Sequence, residues 1–393
     1  MRRVPVGDFT TTDKIREYIN DVLESGQISY GKYSRRFEQE FAALHGCKYA
    51  ILSNSGTSAL QVALQAMKEI HGWPDGSQVI APATTFIASA NIVRHCRMRP
   101  VFVDVSPFTY NMDMEQVKPL ISKDVKAVIP VHLLGQPANV TRLKEIIKAS
   151  GFDIKIIEDS CECMFATHHG APVGSLGDIG CFSTYNAHIM TTGVGGLSTT
   201  NNPEYAAKMR SLVNHGLQLD QLNPDENFSP RPIAGRHFKF DTYGHSYRIT
   251  EFEAALGVAQ LENWECIVEK RNANAARYRE RLDALNKQSL VETFHYQELE
   301  QGNTHVYMMF GMALRGYMDK APLTRFLNSK GIETRDVPSC LNHPIYSWVE
   351  PYSFPVSDWL DRCGFYVGCG TSITESDVDY VCDTLEEFIK ENA

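Results

Sequence analysis

Residues 48–70 read KYAILSNSGTSALQVALQAMKEI. The first five have the composition of a buried strand. From Gly56 to about residue 70 the apolar positions Leu60, Ala63, Leu64 and Met67 fall on one face of a helix. Between the two lies a turn of small polar residues, Ser53-Asn54-Ser55. Strand, turn and amphipathic helix are the repeating unit of an α/β sheet, and the same unit recurs along the chain. Further strands are expected at 78–81, 100–105, 125–131, 154–158, 179–183 and 196–199. Helical patterns intervene at 88–96, 113–121 and 140–149. Such alternation predicts a mostly parallel sheet sandwiched by helices.

Beyond this region the pattern changes. Residues 250 to about 285 form a long charged helical stretch with Ala254, Ala255, Leu256, Ala259 and Leu261 at apolar positions. A strand is expected at 305–314 and a helix at 323–330. The last helix begins near Thr374, where Thr374 and Asp377 have capping-box spacing. The expected organisation is an N-terminal arm (1–13), a large domain (14–265) and a smaller α+β domain (266–393).

Composition narrows the function. The 393 residues are 43 % hydrophobic and 22 % charged, ordinary for a globular chain. With 38 Lys and Arg against 47 Asp and Glu the net charge is −9. No basic block offsets it, so nucleic acid is not an expected partner. No apolar run reaches the roughly 18 residues of a membrane span. The start, MRRVPVGD, has basic residues but no apolar segment behind them, unlike a secretory leader. Ten dispersed cysteines in so long a chain fit reduced thiols and a cytoplasmic location. They suggest neither a metal site nor an iron–sulfur cluster.

Three stretches carry chemistry. The 53–57 turn opens a helix, and helix N-termini bind anions; alone, it would serve equally as a cap. In Ile156-Ile157-Glu158-Asp159-Ser160-Cys161-Glu162 an acidic pair ends a strand, where open α/β sheets place their ligands. Residues 180–196, GCFSTYNAHIMTTGVGG, run from a strand into a glycine-rich turn.

Taken in order, SNSGTSAL, PATTFIASA, PVHLLGQP, IIEDSCE, GCFSTYNAH, GVGG, NHG and YRITEFEAALGVAQLE resemble the sugar aminotransferase family of fold type I pyridoxal-phosphate enzymes. The resemblance spans roughly residues 10–390. It implies a homodimer with active sites shared between subunits. It also implies that Gly56, Thr57 and Ser183 hold the cofactor phosphate, that Phe86 stacks on the pyridine ring, and that Asp159 pairs with the ring nitrogen. Glu162 then lies near the ring hydroxyl, where Gln is usual. An aspartate there keeps the ring protonated, which makes it an electron sink.

Two positions depart from the family. Where its cofactor-linking lysine stands, this chain has His188, and no lysine occurs from residue 156 to 207. Imidazole cannot link the cofactor, but it is a serviceable proton carrier. Pyridoxal or pyridoxamine 5′-phosphate is therefore expected to be held without a lysine bond. Ser246, in GHSYR, stands where the family has an Asn that reaches the partner's phosphate, and is the residue expected at that cofactor position. His188 is shared with two branches. One comprises the 3-dehydratases of 4-keto-6-deoxy nucleotide sugars; the other makes 8-amino-3,8-dideoxy-manno-octulosonate for lipopolysaccharide. Both begin with L-glutamate. The reading preferred is amino transfer from L-glutamate to an oxo-sugar for surface polysaccharide, His188 moving the proton. Dehydration, or a cofactor-binding regulator without catalysis, are the alternatives. The resemblance places substrate contacts at Arg335, His343 and Tyr346, and His215 is a second candidate proton carrier.

Overall fold

The computed structural model describes residues 2–7, 9–218, 239–288 and 293–392. Seven strands make the large sheet: β1 (Tyr49–Ser53), β2 (Gln78–Pro82), β3 (Arg99–Val103), β4 (Val125–Val128), β5 (Lys155–Asp159), β6 (Ile179–Ser183) and β7 (Gly196–Thr200). Their order is β1-β7-β6-β5-β4-β2-β3, with only β7 antiparallel to its neighbours. Side chains alternate between the faces. Val79, Ala127, Ile157 and Cys181 pack under α3 (Gly56–Ile70), α4 (Ala88–His95) and α6 (Pro203–Val213). Their neighbours Ile80, Val128, Ile156 and Phe182 pack under α1 (Asp13–Ser25), α2 (Lys32–Leu44), α5 (Val140–Ser150) and α7 (Glu251–Leu261). Burial on both faces is why these strands read as nearly continuous apolar runs.

A second, antiparallel sheet has β8 (Phe294–Tyr296), β9 (Phe310–Leu314), β10 (Thr334–Asp336) and β11 (Gly364–Val367) in the order β8-β9-β11-β10. Its core is closed by α8 (Trp264–Gln288), α9 (Ala321–Ser329) and α11 (Glu375–Asn392). Thr374 and Asp377 exchange the two bonds of the expected capping box, at 2.9 and 3.2 Å. A shorter helix, α10 (Pro355–Cys363), is tied to the end of β3 by Asp104, which accepts Val356 N–H and Ser357 N–H at 2.9 and 2.8 Å.

Three expectations need correcting. The stretch from 250 is two helices, α7 and α8, separated by Glu262 and Asn263, so that α8 passes from the core of the large sheet at Ile267 to that of the small one at Ala275. Around 113–121 there is one helical turn, Met114–Val117, followed by a 3₁₀ turn, because Pro119 lacks an N–H to donate. The strand expected from 305 begins only at Phe310. Before it, Val306 and Met308 donate to Gly135 and Leu134 carbonyls (3.0 and 3.1 Å) instead of pairing in the sheet. The N-terminal segment also docks: Val4 is buried in the small-sheet core and exchanges backbone bonds with residues 331 and 333.

Candidate active site

Site residues collect along one edge of the large sheet, where β1, β2, β4, β5 and β6 end. Ser53, Gly196 and Ser183 stand side by side across β1, β7 and β6. The 53–57 turn lies above them. Ser55 is extended (φ −168°, ψ 161°) and its hydroxyl accepts Ser58 N–H, starting α3 with the N–H groups of Gly56 and Thr57 among the unpaired donors of a helix end. A Cβ on Gly56 would sit 2.7 Å from the Ser183 Cβ and 2.8 Å from the Cys161 Sγ. The bare glycine therefore lets three strand ends converge on one anion-sized cradle at the positive end of a 15-residue helix.

The acidic pair splits because successive strand residues face opposite ways. Glu158 points into the protein. It accepts Gly174 N–H (2.8 Å) and Gly177 N–H (2.5 Å), and it pairs with His132 at 3.0 Å. Ala138 N–H donates to His132 Nδ1, so Nε2 carries the hydrogen and gives it to Glu158. Asp159 turns toward the cradle and is 5 % exposed. Its Oδ2 accepts the Ser89 hydroxyl at 2.6 Å and its Oδ1 accepts Cys161 N–H at 3.2 Å. Ser89 comes from α4, which begins two residues after Phe86; Phe86 is 61 % exposed while Thr84, Thr85 and Ala88 around it are buried.

His188 sits in the loop between β6 and β7. Its Nδ1 lies 2.7 Å from the Cys161 carbonyl. A carbonyl only accepts, so Nδ1 carries the hydrogen and Nε2 is left with the lone pair. Desolvation, helped by the charge of Arg271, pushes the imidazole down to about 4 against the Cys161 bond, so the ring is neutral at pH 7. Glu162 accepts Leu134 N–H at 2.7 Å. Burial and the nearby Asp159 charge push its carboxyl up to about 7, although the Leu134 bond opposes them.

Of the residues expected from sequence, Gly56, Thr57, Ser183, Phe86, Asp159, Glu162 and His188 lie on turns and strand ends of this edge. Arg335 is on β10, opposite Tyr366 of β11 and bound to Glu333 at 2.6 Å; Tyr366 in turn feels the charge of Glu162. His215 and Ser246 form a separate exposed group, both bonded to Arg248 Nη2 at 3.1 and 3.0 Å. His343 is exposed and bonds the Ser339 carbonyl at 3.0 Å. Tyr346 does not fit a substrate contact as placed. It is 1 % exposed, packs on Phe102, and donates its hydroxyl to Asn91. Sequence reasoning passed over Ser89 and His132, both inside motifs already singled out, and Arg271, for which a single position in a charged helix gave no signal.

The chain matches the model of the DegT/DnrJ/EryC1/StrS aminotransferase family over residues 10–386. The GDP-perosamine synthase of Caulobacter vibrioides is 34 % identical over 383 residues, covering 95 % of each chain. An aminotransferase structure from Psychrobacter cryohalolentis superposes with a TM-score of 0.85 at 26 % identity, covering 97 % of this chain and 98 % of that one. A GDP-4-keto-6-deoxymannose-3-dehydratase solved with a trapped PLP-glutamate geminal diamine gives 0.85 at 25 % identity, covering 98 % and 100 %. Among the described residues no helix is long and apolar enough to cross a membrane.

Proposed function

Because the chain belongs to the DegT/DnrJ/EryC1/StrS family of pyridoxal-phosphate sugar aminotransferases, we propose that it moves an amino group from L-glutamate to an oxo-sugar, with His188 as the proton carrier. Its fold is that of the fold type I enzymes. The observation that carries the proposal is the His188 ring, neutral and tied through Nδ1 to Cys161 so that Nε2 is the available base.

The residues present fit a pyridoxal phosphate. The Gly56 cradle, which a single Cβ would fill, offers N–H groups of Gly56 and Thr57 and the Ser183 hydroxyl to a phosphate. Phe86 offers an apolar plate to the ring and Asp159 a carboxylate to its nitrogen. When bound, the cofactor supplies an electron sink for the carbanion at the substrate carbon. Asp159 keeps that sink protonated, and Ser89 and the Cys161 N–H keep the carboxylate aimed. His188 Nε2 would take the proton from the substrate carbon and return it two atoms away, across the intervening nitrogen. Glu162 holds a proton near neutrality beside Asp159.

The cofactor is held without a lysine bond. Support comes from His188 at the lysine position and from the similar dehydratase, which holds PLP with glutamate. The product enters surface-polysaccharide synthesis, such as lipopolysaccharide sugar assembly, in the cytoplasm. The enzyme acts as a homodimer, for which exposed Phe240 and Tyr243, just ahead of Ser246, supply apolar surface.

His188→Asn tests the reading. The variant should bind PLP normally yet release 2-oxoglutarate from glutamate about 10²- to 10⁴-fold more slowly. Release at the wild-type rate refutes His188 as the carrier. Borohydride added to the PLP-loaded protein without glutamate should leave no label on the chain; a labelled lysine refutes the unlinked cofactor. Likeness to the dehydratase favours one second reading, 3-dehydration. Product mass separates the two, since amino transfer retains nitrogen and dehydration does not. Absence of 2-oxoglutarate altogether would leave a non-catalytic regulator.

A further inference from the structure

Arg271, in the first half of α8, is 3 % exposed, and beyond its charge on the His188 ring it has no role assigned so far. A buried cation is costly unless its donors are satisfied. Its Nη1 donates to the carbonyls of Met308 (2.7 Å) and Tyr307 (3.2 Å), and its Nη2 to the carbonyl of His188 (3.2 Å). These bonds close a ring. Met308 N–H donates to the Leu134 carbonyl at 3.1 Å, and Leu134 N–H to Glu162 at 2.7 Å. Cys161, the residue before Glu162, takes the His188 ring hydrogen at 2.7 Å. Four separate segments and one helix thus meet around the imidazole. Their close approach depends on Gly135, where a Cβ would lie 2.7 Å from Tyr307 N and 2.9 Å from Met308 N.

The loop that bears His188 needs such fastening. Residues 184–195 contain three threonines, two glycines and no helix or strand. On its far side Gln260 of α7 clamps Thr191, accepting its N–H at 3.0 Å and donating to its carbonyl at 2.5 Å. On the near side Arg271 holds the main chain of His188 itself.

We propose that Arg271 is a positioning residue for proton transfer, fixing the His188 main chain from α8 so that the imidazole, bonded to Cys161, presents Nε2 to the reacting carbon. The inference rests on His188 being the proton carrier. Misplacement of a reacting group by about 1 Å can cost roughly a hundredfold in rate, and a carbonyl released from a 3.2 Å bond allows such a shift. Charge acts in the same direction. The groups around the imidazole are Arg271 from α8, Asp159 and Glu162 on the strand end that its ring bonds to, and Tyr185 edge-on at 6.2 Å in its own loop. Arg271 is the cation among them and favours the neutral ring.

Full-length protein loaded with PLP and given glutamate tests this with Arg271→Met, Arg271→Lys and His188→Asn. Arg271→Met should lower the rate of 2-oxoglutarate release ten- to a hundredfold, with the glutamate KM and PLP Kd within twofold of wild type. Its acid limb should move to higher pH, because the imidazole is easier to protonate without the neighbouring charge. Arg271→Lys keeps the charge but not the planar fork that spans His188 and Met308. It should lose rate without moving the acid limb, and it remains informative if the Met variant does not fold. A folded variant of either kind with the wild-type rate overturns the proposal. So does a His188→Asn/Arg271→Met double variant markedly slower than His188→Asn alone, since Arg271 would then act by another route. His188→Asn at the wild-type rate refutes the proton-carrier reading instead, whatever Arg271 does.

Discussion

Replacing Gly56 by alanine probes the cradle directly. The added methyl would stand 2.7 Å from the Ser183 Cβ and 2.8 Å from the Cys161 Sγ. Carbon atoms in contact prefer about 3.5–4.0 Å, so the first approach is short by about 1 Å. The sulfur can rotate away, but the Ser183 Cβ is fixed to a strand whose five residues are all buried. Either β6 or the start of α3 must therefore move. Overpacking of this kind costs about 1–3 kcal/mol. The urea midpoint should fall accordingly without cofactor. Cofactor affinity should fall further, because the N–H groups of Gly56 and Thr57 move with the backbone. Even 1.4 kcal/mol lost there is about tenfold in Kd. Urea unfolding followed by circular dichroism measures the first effect and PLP titration the second. Cys161→Ala in the same chain should recover only part of both, since the Ser183 contact remains. A Gly56→Ala protein with the wild-type urea midpoint and PLP Kd would show that the turn is slack and that the cradle is not a phosphate site.

Further outcomes follow from the same geometry. Asp159→Asn removes the charge facing the cradle while keeping the residue's size, so turnover should drop about 10²- to 10³-fold with little change in thermal stability; near-normal turnover would reduce Asp159 to a partner of Ser89 and Cys161. Glu162 holds its proton up to about pH 7 in the folded chain, against 4.5 as its ordinary value. Folding therefore favours the protonated form, and stability contributed by this group is lost as pH rises from about 4.5 through 7. Glu162→Gln, which keeps an acceptor for Leu134 N–H, should gain stability over wild type on going from pH 5 to pH 8; parallel urea midpoints at the two pH values would contradict this. Glu38→Ala should cost about 3–5 kcal/mol, because Glu38 takes both Arg210 Nη groups at 2.6 Å and the edge-strand Leu52 N–H at 2.8 Å. A denaturation midpoint shift under a third of that size would mean water replaces the pair.

Local pattern alone carried much of this architecture. The α3 boundaries, Gly56 to Ile70, and the β6 boundaries, Ile179 to Ser183, follow from apolar spacing and a serine–glycine turn, because helix and strand periods are properties of consecutive residues. The last helix was legible from Thr374 and Asp377 for the same reason. The candidate site was legible as a set of motifs, because Gly56, Asp159, Ser183 and His188 lie on short segments joined to strand ends. Their mutual arrangement was not. Nothing local separates Glu158 from Asp159; the pleat of β5 sends one into the protein toward His132 and the other toward Ser89. Tyr346 stands where the resemblance puts a substrate contact, but packing against Phe102 buries it. The strand expected from 305 shortened because Leu134 and Gly135, some 170 residues earlier, took its first backbone bonds. Arg271 shows the division most clearly. Its guanidinium donates to backbone carbonyls at 188, 307 and 308, and a carbonyl has no sequence signature. Residue identity determined which groups could bear charge, cap a helix or accept a proton; only the tertiary fold decided which distant backbone atoms would meet them.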